Sequence, residues 1–152
     1  MINRKGFTLI ELLVVIGILA VLLAITLIAV NPAQNIEAAE DTQRRNDVTQ
    51  ILNAVGQYVV DNNGSTATMN GGTGLPATAT EVGSGTGLIN ICADIVPTYI
   101  AGLPQDPDLN ADIIDETECA AAHNTGYQIS VLNGRVTVAA LNANSGTISV
   151  TR

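Results

Sequence analysis

The chain has 152 residues, 47% of them hydrophobic and only 3% aromatic, and a formal net charge of −8. That length allows one modest domain beside a membrane anchor, and with one Phe, three Tyr and no Trp the core must come from Val, Ile, Leu and Ala. The acidic balance argues against a nucleic-acid surface, because neutralising phosphates takes clustered Lys and Arg.

The N-terminal stretch is the most informative. From Phe7 to Val30 there are 24 residues, and Glu11 is the only charged one. As a helix they would run about 36 Å, enough to cross a hydrocarbon core of about 30 Å with some tilt. Arg4 and Lys5 precede the run, so the N-terminus is expected to stay cytoplasmic while the C-terminal part is exported. A secretory signal peptide carries a shorter apolar core, about 7–15 residues, closed by a small-residue cleavage site. A plain single-span anchor explains the hydrophobicity but gives Glu11 no role. An intramembrane carboxylate costs about 2.5–3.5 kcal/mol at a helix centre and less near an end, so it marks a functional position by default.

The run Lys5-Gly6-Phe7-Thr8-Leu9-Ile10-Glu11-Leu12 resembles the N-terminus of type IV pilins and of the pseudopilins of type II secretion. The likeness is close to about Val30 and looser over the next thirty residues. It implies a leader, residues 1–6, cut between Gly6 and Phe7 by a prepilin peptidase, followed by N-methylation of Phe7. It also implies that Glu11 serves assembly, pairing with the Phe7 ammonium of a neighbouring subunit. The implied partners are copies of the chain or related pilins, the inner-membrane assembly machinery and membrane lipid. The implied location is a single-pass precursor in the cytoplasmic membrane, then a cell-surface or periplasmic filament. The implied fold is α+β, a pilin-like lollipop: a long N-terminal helix, membrane-spanning in its first half, with a small antiparallel sheet packed on its second.

Further along, Asn31-Pro32 should kink the helix, since proline lacks the backbone donor that the carbonyl four residues earlier requires. An amphipathic continuation is expected over 31–63. Val48, Ile51, Leu52, Val55 and Val59 form an apolar stripe at spacings of three and four. Asp47 falls off it, and Asp41, Arg44 and Arg45 read as surface pairs of an exposed helix. Asn62-Asn63-Gly64 supplies a left-handed stop. Residues 64–152 form the exported head. Its first part, 64–87, is dense in Gly, Thr, Ser and Ala and reads as a partly mobile surface connection with little to bury. A short helix or turn is expected over Asp94–Tyr99. Leu103-Pro104-Gln105-Asp106-Pro107 is a tight turn that resembles the segment joining helix to sheet in pseudopilins. The C-terminal part, 127–151, predicts a three-stranded meander: two alternating runs joined by Asn133-Gly134, a type I′ hairpin dipeptide, then Thr147–Thr151 after another turn.

Cys92 and Cys119 both fall on the exported side, where an even pair usually closes. A bridge would contribute about 3–4 kcal/mol in the chain-entropy model; the alternative is two buried thiols. Between them lie Asp106, Asp108, Asn110 and Asp112, whose oxygens at alternate positions make a candidate Ca²⁺ set, and some pseudopilins hold calcium in this region. The run is not an EF-hand, because Ala111 and Thr117 stand where Gly and Glu are required. A solvated acidic loop is the competing reading, and no other cofactor is expected. His123 is expected at the surface. No catalytic constellation can be assembled around it, so an enzyme is not expected. The sequence thus reads as a filament subunit, a pilin or a secretion or DNA-uptake pseudopilin, against a monomeric membrane-anchored binding module.

Overall fold

A computed structural model describes residues 6–109 and 112–152. Met1–Lys5, most of the expected leader, and Asn110, one of the four calcium candidates, lie outside the described residues. The chain divides into two compact units, Met1–Ile36 and Glu37–Arg152.

The first unit is helical. Helix α1 spans Leu9–Val30, with Thr8 as its N-cap, and none of its residues is buried. At 1.5 Å per residue its 22 residues cover about 33 Å. Within Leu9–Asp61 the most apolar 18-residue window reaches a mean hydropathy of 3.2, long and apolar enough to cross a membrane. The expected break falls at Asn31, which adopts the left-handed conformation with φ 41° and ψ 75°. Helix α2, Pro32–Asp61, starts there. Proline is well placed at a first helical position, where its missing N–H would have no partner anyway. The Asn35 side chain donates to the Val30 carbonyl at 2.9 Å, satisfying one acceptor that the break leaves open.

In the second unit α2 is followed by a short turn, α3 (Met69–Gly72), then β1 (Thr80–Gly83), α4 (Cys92–Ile95), β2 (Leu103–Pro104) and β3 (Ile113–Ile114). A single 3₁₀ turn at Glu118–Ala120 leads to β4 (Asn124–Leu132), β5 (Arg135–Ala140) and β6 (Ile148–Thr151). Strands β1-β4-β5-β6, in that order, make one sheet, and β2 and β3 form a separate ribbon. The helix ends as its sequence predicts: Asn63 and Gly64 take positive φ, and the Gly64 N–H donates to the Val59 carbonyl at 2.8 Å. The β4–β5 turn is the expected one, with Asn133 and Gly134 at φ 52° and 75°. Val48, Ile51, Leu52 and Val55 of α2 share one core with Tyr127, Ile129 and Val138 of the sheet. Fully burying each such aliphatic side chain is worth about 1.5–3 kcal/mol.

The reading of 64–87 is corrected. Met69 and Val82 have no exposed surface and Leu75 only 8%, so the segment contributes three side chains to the core. Strand β1 pairs antiparallel with β4, Thr80 opposite Ile129, which makes the sheet four-stranded. Val82 and Ile89 also form a parallel bridge. The polar, glycine-rich composition conceals this because the apolar residues are single and widely spaced. Each is placed by what it packs on rather than by a local period.

Candidate assembly site and head clasp

Two groups of residues bear on function, one in each unit. At the N-terminus, Gly6 and Phe7 precede the helix and Phe7 is 88% exposed. The Glu11 backbone N–H donates to the Thr8 hydroxyl at 3.3 Å. In return the Thr8 N–H and hydroxyl both donate to Glu11 Oε2 at 2.8 Å. This is a capping box, in which a side-chain acceptor at the third helical position satisfies the cap residue. Glu11 therefore has a partner within its own chain, which the sequence reading did not give it. Phe7 and Glu11 line one shallow groove with Ile10, Val14 and Val15.

The second group was read from the sequence as surface. Arg44 has no exposed surface, and Asp41 and Asp47 are each only 5% exposed. Arg44 Nε and Nη2 donate to the two oxygens of Asp106 at 3.0 and 2.9 Å, a forked pair. Nη1 donates to Asp41 at 3.2 Å, and Nη2 lies 2.9 Å from Asp108. These anions raise the guanidinium pKa still further, the Asp106 hydrogen bonds most of all. The two Asp41 oxygens each accept a backbone N–H at 2.9 Å, from Asn144 and Ser145. The Ser145 hydroxyl, those N–H groups and Arg44 together hold Asp41 down at about 2. One turn on, Tyr127 donates its hydroxyl to Asp47 at 2.7 Å. Burial pushes the Asp47 carboxyl up, partly offset by that hydrogen bond. Burial also raises the Tyr127 hydroxyl, and the bond to Asp47 adds to the shift.

A signal for this clasp was present. Asp41, Arg44, Val48, Ile51 and Val55 continue one spacing of three and four, so the charged pair extends the apolar stripe onto the same buried face. Gly126 completes the arrangement from the sheet. Its φ is +76°, and a Cβ there would sit 2.8 Å from Asp106 Cβ and 3.0 Å from Leu109 Cδ1. Only glycine lets the 106–109 loop close over β4.

The calcium candidates are thereby divided. Asp106 and Asp108 are turned onto Arg44, and exposed Asp112 accepts the N–H of Ile113 at 2.9 Å. Among the described residues no three acids, histidines or cysteines gather in a metal-binding group. A cation at Asp106 would have to displace the buried guanidinium of Arg44. Cys92 and Cys119 are joined in a disulfide, Cα to Cα 5.5 Å, tying α4 to the 3₁₀ turn. His123 is partly buried rather than free at the surface. Its N–H donates to the Ser84 hydroxyl at 2.8 Å, its Nδ1 lies 3.0 Å from the Ala121 carbonyl, and its Nε2 is buried without a partner among the described residues.

The first unit thus presents an apolar, exposed helix capped by its own glutamate and long enough to cross a membrane. Residues 1–27 match the prokaryotic N-terminal methylation motif. Over 105 residues the chain is 36% identical to the type II secretion system core protein G of Pectobacterium carotovorum subsp. carotovorum. That match takes in 69% of this chain and 62% of the relative, so the chain spans less than two thirds of the relative's length. No solved structure matches the chain significantly. The methylation motif and this relative support the type IV pilin and pseudopilin family.

Proposed function

We propose that the chain is a structural subunit that polymerises through α1 into a pilus-like filament. The observation that carries this reading is α1 itself: 22 residues, none buried, with Glu11 the one charged group among them. An apolar surface of that size needs lipid before assembly and neighbouring helices after it. In the proposed sequence a prepilin peptidase cuts between Gly6 and Phe7, Phe7 is N-methylated, and inner-membrane machinery extracts the span into a filament. The Glu11 carboxylate then meets the Phe7 ammonium of a neighbour, offsetting two charges that would be costly apart in an apolar bundle. The relative named as a type II secretion core protein supports a pseudopilus over a surface pilus. The head clasp supports a structural role, since its polar groups are spent holding loops to α2.

The capping box sharpens the test. Glu11→Gln keeps an acceptor for Thr8, because Gln serves the capping box as Glu does, but removes the charge. Glu11→Leu removes both. Both variants should insert and lose residues 1–6, so that intact mass reads a chain beginning at N-methylated Phe7. Both should give far less filament in the shear fraction relative to membrane-bound protein. Full filament yield from Glu11→Gln would show that the carboxylate serves only the cap, and absence of filament from the unaltered chain would put the monomeric anchored module in place of this reading.

A further inference from the structure

The head distributes its charge unevenly. Outside residues 1–5 the chain has four bases, Arg44, Arg45, Arg135 and Arg152. Arg44 is buried in the clasp, and the other three are exposed. Arg45 and Arg152 lie along β6, and Arg135 stands at the adjoining end of β5. Arg45 and Thr49 of α2 form one wall of an open groove whose other wall is Ser145–Val150. Further along, Arg152 donates to Asn53 at 2.9 Å across the same gap, and a second groove continues to Gln57, Val60 and Tyr99. Arg135 begins β5, one residue from Val136, which pairs with Arg152 through two backbone hydrogen bonds of 2.9 Å.

The β6 edge is also open. Because Val136 and Arg152 exchange both hydrogen bonds, Ile148 and Val150 face β5, and the backbone groups of Ser149 and Thr151 face outward. Among the described residues none pairs with them on that side. An unpaired edge of this kind is a template for another chain.

The opposite side of the sheet carries the reverse charge. Asp112, Asp115, Glu116 and Glu118 are all exposed, flanking β3 on either side. Their segment runs on beside β1 and β4: the Ser84 hydroxyl donates to the Ala121 carbonyl, and the Asp106 N–H to the Thr125 carbonyl. Strand β1 is at the far edge of the sheet from β6. Ile113, 58% exposed, sets an apolar side chain among these acids.

We propose that the β6 edge, flanked by Arg45, Arg135 and Arg152, receives the acidic segment 112–118 of a second copy of this chain. The two surfaces are different and lie on opposite sides of one head, so the contact is head-to-tail. Such contacts propagate into rings or open filaments, whereas a self-complementary patch stops at a dimer. Charge complementarity supplies the register and rejects the alternatives, since acid against acid or base against base is repulsive. This inference rests on the filament reading but concerns the heads alone.

The test uses the full chain in its native membrane. Arg45, Glu116 and Ser149 have exposed side chains with no hydrogen bond or ion pair among the described residues. A Ser149→Cys/Glu116→Cys chain, treated with a short bis-maleimide, should give a ladder of dimers, trimers and higher species. Each single-cysteine chain should stay monomeric. Adding Arg45→Glu should reduce the ladder at least tenfold, and moving the acid partner to a base with Asp112→Arg should restore it. Loss of the ladder in high salt should accompany this. A ladder absent from the double-cysteine chain overturns the proposal, as do Ser149→Cys dimers alone, which would mean β6 meets β6. A ladder indifferent to Arg45→Glu also overturns it. The shear fraction is measured in parallel: filaments without the ladder leave the filament reading standing and discard this contact.

Discussion

Arg44 is the only buried cation among the described residues, and four carboxylates, those of Glu40, Asp41, Asp106 and Asp108, lie within 3.8 Å of it. Removing the guanidinium leaves the buried Asp106 carboxylate with no cation and only the Asp108 N–H, 3.0 Å from Oδ1, to hold it. Arg44→Ala should therefore cost about 3–5 kcal/mol, the usual penalty for breaking one side of a buried pair. Thermal unfolding of the detergent-solubilised chain reads it, and a loss under 1 kcal/mol would place the charge closer to water than the structure has it. Asp41 gives the matching pH dependence. Its pKa falls from 3.8 to about 2 on folding, so its contribution is complete above about pH 4 and disappears as pH drops through 2. Asp47 works in the opposite sense. A carboxyl raised by burial is relieved when acid protonates it, so it does not add to that acid limb. Asp41→Asn should lower stability at pH 7 and flatten the fall between pH 4 and 2. An acid limb of unchanged steepness would assign the fall to other groups. At this scale the sequence reading is wrong: Asp41 and Arg44 continue the spacing of the apolar stripe, yet they read as surface pairs, and both are buried. Their charge, taken alone, suggested water, and only Asp106, 62 residues away, resolves the conflict.

Among the elements, legibility follows how local the cause is. The β4–β5 hairpin is written in a two-residue turn and two alternating runs, and it forms as expected with Val131 opposite Val136. The break at Asn31-Pro32 and the stop at Asn63-Gly64 are local too. Strand β1 is not, because Thr80–Gly83 has no alternation of its own and acquires strand geometry from β4. Gly126 belongs to the same class. Its positive φ is required only because the Asp106 loop closes over it, which no neighbouring residue announces. Gly126→Ala combines a disfavoured backbone with a 2.8 Å contact, and should destabilise by more than about 1 kcal/mol. Chemical denaturation would read it. Gly87→Ala is the control, also at positive φ but with nothing within 4 Å, and should cost less. Equal losses would mean that backbone strain alone, not the loop, sets the requirement.

For the molecule as a whole, the apolar helix was legible because an apolar run and its flanking motif lie within one short stretch, while its cap emerged only with the structure. The role of the acidic loop was not. Acids at alternate positions look the same whether they hold a metal or a guanidinium, and only the fold decides. With Arg44 in place the loop should not depend on calcium. Millimolar Ca²⁺ or chelator should leave the melting temperature of the full chain unchanged, whereas saturation a hundredfold above Kd would add about 2.7 kcal/mol. A calcium-dependent rise would show that the remaining acids bind without Asp106.

The clasp also bears on the order of events as the head forms. Its bonds join residues far apart in the chain: Arg44 to Asp106 over 62 positions, Asp47 to Tyr127 over 80, and Asp41 to Ser145 over 104. The hairpin, by contrast, closes between neighbours, and local contacts cost the least chain entropy. The sheet can thus begin to zip before α2 docks, and the clasp should close late. Changes there would accelerate unfolding and leave refolding nearly untouched, as expected for contacts absent from the transition state. Tyr127→Phe, which removes only the hydroxyl on Asp47, should shift the unfolding arm of a chevron plot and spare the refolding arm. A slowed refolding arm would put the clasp in the nucleus instead. If it closes last, the head reaches its final electrostatic form only after the sheet is built, and until then the Asp106 loop stays open to proteolytic attack.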